Sequence, residues 1–536
     1  MAMSPSAPSS RLRTALFVLA FGAVAVVLAA TPFKSFDLDR YFVPKELVLH
    51  LCALTAVILC AAGARRFSLS LVDALLAAFL VSSVISALLS TNYWLAQRAL
   101  SISISGAVLF WTASSLRRAG MARLLLVALA TGVVVGAATS LAQAYGVQTE
   151  YFSLNRVPGG TFGNRNFVAH LAVIGTPIVV LVALTARRGV GSLLGGIGMG
   201  VLAAVLVMSR SRAAYLAVIV VAVPVGGLAF LTRARWREPR TVRRLIVLGA
   251  SAIVGAAAAV LLPNRLEWKS DSPYLESAAG IVNYKKGSGA GRLVQWTNSL
   301  KIMKSDPLFG VGPGNWPVAY PKVATRNDPS LSQDDGMTSN PWPSSDWVAY
   351  LSERGAIGFG LLLAVMLCIL GRAVKDLRGG GGRDPERVLT AIALVGTLAA
   401  TAVVGAFDAV LLVAAPTFFV WTLAGVLSPT PERGFTLGRW APVTAMLAVV
   451  VCGGIAIARS AFQIAAIATF STSTRLASLD QASSYDPGSY RIHTRVAAAY
   501  LSRGDCARVR PHARAARALF PNAAEPRRQL AACGSR

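Results

Sequence analysis

The chain has 536 residues, 54% of them hydrophobic and 14% charged, with a mean hydropathy of +0.57. Such a chain is too apolar for a water-soluble domain and falls in the polytopic membrane class. Its 52 Lys and Arg outnumber 24 Asp and Glu, a formal net charge of +28, but the basic residues are scattered between apolar runs and form no continuous stripe. That pattern argues against nucleic-acid binding and fits the Arg- and Lys-rich loops of membrane proteins.

The first apolar run, about 14–31, follows Arg11 and Arg13 and shows no small-residue cleavage pattern, so it reads as a retained first helix. Twelve more runs, most near the ~20 residues needed to cross hydrocarbon, lie at about 47–62, 71–89, 99–115, 124–144, 167–184, 193–208, 213–231, 245–262, 356–371, 388–404, 411–427 and 441–458. Thirteen runs predict an all-α polytopic protein of 12–13 transmembrane helices. Alternate loops carry the basic residues: Arg65 and Arg66; Arg117, Arg118 and Arg123; Arg187 and Arg188; the group from Arg233 to Arg244; Arg372 to Arg387; Arg433 and Arg439. Loops rich in Lys and Arg stay cytoplasmic. This places residues 1–13 inside, nine helices in 14–262, a large outer loop in 263–355, four helices in 356–458 and an outer tail in 459–536.

The tail reads as helical. Ala497, Ala498 and Leu501 share one face, Gly504-Asp505 breaks the pattern, and 506–519 forms a second helix stopped by Pro521. It is similar to one tetratricopeptide-type hairpin, and a plain helical hairpin docked on the membrane domain is the alternative. Six cysteines show no metal spacing. Cys52, Cys60, Cys368 and Cys452 fall in apolar runs as small hydrophobes, whereas a disulfide between Cys506 and Cys533 is open to an outer tail.

Four polar clusters fall on the outer face. In Arg156-Val-Pro-Gly-Gly-Thr-Phe-Gly-Asn-Arg-Asn166, glycines admit close backbone approach, and Asn164 and Asn166 either cap a helix or aim amides at an anion. Arg210 and Arg212 in Ser209-Arg-Ser-Arg212 are either snorkelling anchors or a phosphate clamp. Arg292 and Trp296 stand one helical turn apart, a face that suits a sugar ring beside a phosphate and equally an interfacial helix. The run Phe309-Gly-Val-Gly-Pro-Gly-Asn315, with Gly312, Gly314 and Asn315, lacks the Lys-Ser/Thr ending of a P-loop. Finally Ser344, Asp346, Trp347, Glu353 and Arg354 enter the tenth span, where carboxylates serve either the helix dipole or proton abstraction from an acceptor hydroxyl.

Together the motifs Gly160-Thr-Phe-Gly-Asn-Arg-Asn166, Ser209-Arg-Ser-Arg212, Arg292 with Trp296, Asp306 to Asn315 and Asp346 to Gly358 resemble those of the O-antigen ligase and O-antigen polymerase superfamily of bacterial envelope glycosyltransferases. The resemblance covers about residues 14–430. It implies a twelve-helix core in the bacterial inner membrane with a large periplasmic loop; the odd count of thirteen runs puts the C-terminal tail on that same periplasmic side. The resemblance also implies a polyprenyl-diphosphate-linked glycan as donor, a glycan, lipid A-core or protein as acceptor, and no metal or cofactor. Arg210, Arg212 and Arg292 are then the diphosphate ligands, with Asn164, Asn166, Trp296, Gly312, Gly314, Asn315, Ser344 and Trp347 lining the substrate site. Ligases of this family carry a histidine in the slot held here by Ser344, and His50, His170, His493 and His512 lie elsewhere in the sequence. Asp346, with Glu353 second, is the expected base. A polymerase of the same superfamily is the alternative. A transporter or a non-catalytic assembly scaffold, with residues 481–536 as its partner-binding tail, is the alternative of another class.

Overall fold

The computed structural model describes residues 9–61, 68–268, 270, 272–280, 288–325, 327–332, 335–378, 384–429, 435–436 and 441–534. Arg65, Arg66, Arg383, Arg433 and Arg439 of the basic loops lie outside the described residues. Five helices open the chain: α1 Ser10–Leu28, α2 Asp39–Ala61, α3 Leu71–Leu88, α4 Tyr93–Arg118 and α5 Ala122–Ala144. Then come α6 Arg165–Leu184, α7 Gly189–Ser209, α8 Arg212–Leu231, the short α9 Arg233–Trp236 and α10 Pro239–Leu261. The segment before the tenth long apolar helix holds α11 Pro273–Ala279, α12 Ser288–Ser305 and α13 Trp316–Ala319. After it stand α14 Asp346–Arg378, α15 Pro385–Phe407, α16 Ala414–Leu427 and α17 Ala441–Thr472. The tail contributes α18 Leu476–Tyr485, α19 Tyr490–Leu501, α20 Cys506–Leu519 and α21 Glu525–Ala532.

Among the described residues twelve helices are long and apolar enough to cross a membrane, so the chain is an all-α multi-pass membrane protein. The twelfth apolar run, about 411–427, is different in kind. It forms α16, only 14 residues and about 21 Å long, and every one of its residues is buried. Glycines let it approach α4 closely: a Cβ at Gly425 would meet the Phe110 carbonyl oxygen at 2.3 Å, and one at Gly106 would meet the Trp421 ring at 2.5 Å. Small residues at such crossings let backbones touch in an apolar medium, where dispersion and hydrogen bonds replace the hydrophobic drive.

Three helices also reach further than the hydropathy runs. α2 begins at Asp39 and contains Pro44, α14 begins at Asp346, and α17 continues to Thr472. α14 is in fact two helices joined at Gly355, whose φ of 64° and ψ of −173° are not helical. The broken turn is satisfied by a distant segment. Val311 and Gly312 amides donate to the Ser352 and Glu353 carbonyls at 3.1 and 2.9 Å, and Ala356 and Ile357 donate to Pro307 and Leu308 at 2.8 and 3.3 Å. Buried backbone groups must find such partners, so the glycine-rich run is held by the break it fills.

The tail is four helices, longer than the expected hairpin. α19 packs on α18 and α20, and α20 on α21, around a core that includes Leu479, Val496, Tyr500 and Val509. A Cys506–Cys533 disulfide joins the start of α20 to the end of α21. Polar contacts seat this unit on the bundle. Asn92 donates to the Leu519 carbonyl at 3.1 Å, Asn522 to that of Val318 at 3.2 Å, and the Ala524 amide to that of Asp335 at 3.0 Å.

Candidate functional site

Two neighbouring clusters gather most of the expected residues, and a third group turns out to be scaffold. The first begins at the N-terminus of α6. Asn164 caps the helix, its side chain accepting from the Asn166 amide at 3.0 Å, as a short polar residue in extended backbone does. The next side chain, Arg165, donates to the Val157 carbonyl at 3.2 Å and lies over the Trp268 ring at 5.1 Å. Arg210 reaches the same indole from the α7–α8 junction. Its backbone is left-handed, φ 52°, which turns the side chain out of the helix line. The guanidinium lies 4.7 Å from the Trp268 ring centre, donates to Ser277 Oγ at 2.8 Å and meets Glu276 at 3.2 Å. Arg156 and Arg210 are the electrostatic neighbours of Arg165, and the Arg212 guanidinium packs against Gly280. Glu276 is 60% exposed, so its pairing is worth under about 1 kcal/mol and leaves a strong positive excess.

The second cluster lies along α12. Gln295 Oε1 accepts the Ser344 amide at 2.7 Å, which fixes the Ser344 segment one residue triplet from Arg292. Trp296 packs on Phe407 with ring centres 6.3 Å apart. His170, from α6, has Asp408 and Arg292 as its charged neighbours. It is 1% exposed, and neither ring nitrogen has a hydrogen-bond partner among the described residues. The structure thus brings an imidazole beside Asp408 and Arg292 from a distant part of the chain. Sequence reading passed over His170, although its position four residues after Asn166 puts it one turn along the same helix face.

The third group holds the frame. Asp346 is fully buried, and its two oxygens accept the Val410 and Leu411 amides at 2.9 and 2.8 Å. Glu353 accepts the Gly314 and Trp316 amides at 2.8 and 3.3 Å. Asn315 exchanges two hydrogen bonds with the Asn92 backbone, at 2.7 and 3.0 Å. Gly312 and Gly314 have φ of 100° and 69°; Gly312 abuts Ser90, and Gly314 abuts the Leu95 carbonyl. Trp347 donates to the Ala402 carbonyl at 2.9 Å. Both carboxylates expected as bases therefore hold backbone amides in place, and the glycine-rich run is packed against α3 and α4. Among the described residues no group of three or more His, Cys, Asp or Glu side chains is placed to hold a metal ion.

Residues 197–363 match the protein-family model described as O-antigen ligase. Over these residues the chain is similar to the O-antigen ligase family. No curated protein matches it. The O-antigen ligase segment starts inside α7 and ends just past the Gly355 break. It therefore carries Arg210, Arg212, Arg292, Ser344, Asp346 and Glu353, while His170, Asn164 and the four tail helices lie outside it. The match supports a glycosyltransferase-type membrane function in O-antigen assembly.

Proposed function

We propose that this protein transfers a glycan from a polyprenyl diphosphate to an acceptor at the periplasmic face of the inner membrane. What carries the reading is the O-antigen ligase match over the segment that holds Arg210, Arg212 and Arg292. In the transfer an acceptor hydroxyl oxygen bonds to the anomeric carbon, the bond from that carbon to the diphosphate oxygen breaks, and the polyprenyl diphosphate leaves with the electron pair. Arg210, Arg212 and Arg292, joined by Arg165, neutralise the charge that develops on the leaving group. Asp346 and Glu353 act as positioning residues. His170 takes the acceptor proton, because a neutral imidazole keeps one unprotonated nitrogen free to do so.

The orientation has two supports. Arg123, Arg235 and Arg244 donate to the Thr185, Leu377 and Leu184 carbonyls, so the basic loops stabilise helix C-termini at one end of the bundle. The Cys506–Cys533 disulfide belongs to the other end and suits an oxidising compartment. A membrane-impermeant maleimide should label Thr325→Cys and miss Arg188→Cys in intact spheroplasts. The reverse pattern would overturn the orientation.

Transfer itself is tested with purified protein in nanodiscs and the strain's own lipid-linked glycan. Arg292→Ala and His170→Gln should each lower the rate about a hundredfold or more. Wild-type rates in both, with unchanged melting, would remove the mechanism.

A further inference from the structure

A cavity of about 510 Å³ opens where the tail meets the bundle. It is lined by the beginnings of α2 and α4, by Asp335, Ser339 and Trp342, by residues 411–413, by Glu353 and Arg354, by Arg459 and Gln463 of α17, and by Asp486, residues 488–492 and Phe520 from the tail. Its volume falls within the about 300–1,000 Å³ of small-molecule pockets. The Arg165, Arg210 and Trp268 cluster contributes nothing to its lining, so this is a second site.

Charge separates the two. Four arginines and five carboxylates line the cavity, and the most closely bonded of them neutralise one another. Arg98 donates to both Glu46 oxygens at 3.0 and 2.8 Å and to Asp39 at 3.2 Å. A near-neutral cavity rich in both charges does not attract a diphosphate as the arginine cluster does. It suits a ligand that donates and accepts hydrogen bonds in equal measure.

The uncommitted polar atoms have that mixed character. Arg354 Nε and Nη1, Arg459 Nε, Gln463 Oε1 and the Tyr490 hydroxyl are buried without a hydrogen-bond partner among the described residues. All four side chains line this cavity. Orphaned buried donors and acceptors cost about 1–3 kcal/mol each, so their concentration around one void points to a polar ligand that engages them. Burial also raises the Asp486 carboxyl above the usual carboxylate range, against the pull of Arg459, which favours exchange of hydrogen bonds with a hydroxyl. Aromatic faces complete the lining. Phe42 and Trp342 meet at 5.2 Å on the bundle side, and Tyr490 and Phe520 at 4.9 Å on the tail side. A sugar ring presents an apolar C–H face and a rim of hydroxyls that both donate and accept, and these walls match each part.

We propose that the cavity is a saccharide-binding site shared between the bundle and the C-terminal helices, and that it holds the acceptor sugar. The acceptor role rests on the transfer reaction proposed above; the binding site does not. The tail is then a wall of the acceptor pocket, and acceptors without a sugar at the receiving end are excluded.

The test uses full-length protein in nanodiscs and two probes. One is the free, phosphate-less saccharide released by mild acid from the strain's lipid-linked glycan; the other is undecaprenyl diphosphate. Trp342→Ala and Tyr490→Ala should each weaken saccharide binding tenfold or more and leave undecaprenyl diphosphate binding unchanged. Arg292→Ala should do the opposite. Ser339→Trp, which blocks the exposed mouth without removing packing, should abolish saccharide binding at an unchanged melting temperature. No saccharide binding by the wild type, or full binding in Ser339→Trp and both alanine variants, would overturn the site. Saccharide binding retained by a protein that neither binds undecaprenyl diphosphate nor transfers glycan would overturn the transfer reaction alone.

Discussion

The Glu353 carboxylate accepts the Gly314 amide at 2.8 Å. This bond, with a second from the Trp316 amide, ties the glycine-rich run to the first half of α14. Glu353→Ala leaves two buried amides without an acceptor, at about 1–3 kcal/mol each. It should lower the melting temperature in detergent, and Glu353→Gln, which keeps one acceptor oxygen, should lower it less. A Glu353→Gln protein that melts like wild type but transfers glycan a hundredfold more slowly would make Glu353 a catalytic base instead.

Asp346 has the same kind of role at the α15–α16 connection, through the Val410 and Leu411 amides. Asp346→Asn should retain folding and most of the transfer rate, because its carbonyl oxygen still accepts one amide. Asp346→Ala should lose about 2–4 kcal/mol of stability. Equal melting of the two variants would remove the positioning role.

Gly355 is the hinge that lets both halves of α14 exist. Its φ of 64° with ψ of −173° lies in a region reserved for glycine, and a Cβ there would stand 2.3 Å from the Leu308 carbonyl. Gly355→Ala should fail to accumulate in membranes or melt well below wild type. Gly360→Ala, further along the same helix where a Cβ meets nothing within 4 Å, should be neutral or slightly stabilising, by up to about 1 kcal/mol. Similar yields of the two proteins would contradict the assigned break.

The Cys506–Cys533 bond closes the end of the tail over a sequence separation of 27, a loop size for which a disulfide contributes about 2–4 kcal/mol. Reduction, or the Cys506→Ser/Cys533→Ser pair, should make residues after 490 sensitive to trypsin while the bundle stays intact. Unchanged digestion would show that packing on the bundle alone holds the tail.

His170 shows why the membrane architecture could be read from the sequence and the site could not. Apolar length is a local property: a run of about 20 residues must form its own backbone hydrogen bonds in hydrocarbon, whatever surrounds it. The helices therefore follow from composition, and Arg210, Arg212 and Arg292 could be picked out by type and spacing. Hydrogen-bond partners are not local. Asp346 looked like a base because its neighbours in sequence are polar, yet its oxygens meet amides of residues 410 and 411. His170 looked remote from Ser344, yet the packing of α6 against α15 brings it beside Asp408 and Arg292. α16 has the hydropathy of a lipid-facing span, but at 14 residues its neighbours bury it completely. The sequence alone determined a basic, multi-pass helical protein with a polar segment before its tenth apolar span. Tertiary packing decided which of that segment's charges are scaffold and which stand unengaged, because only contacts between distant segments satisfy or leave open a buried polar atom.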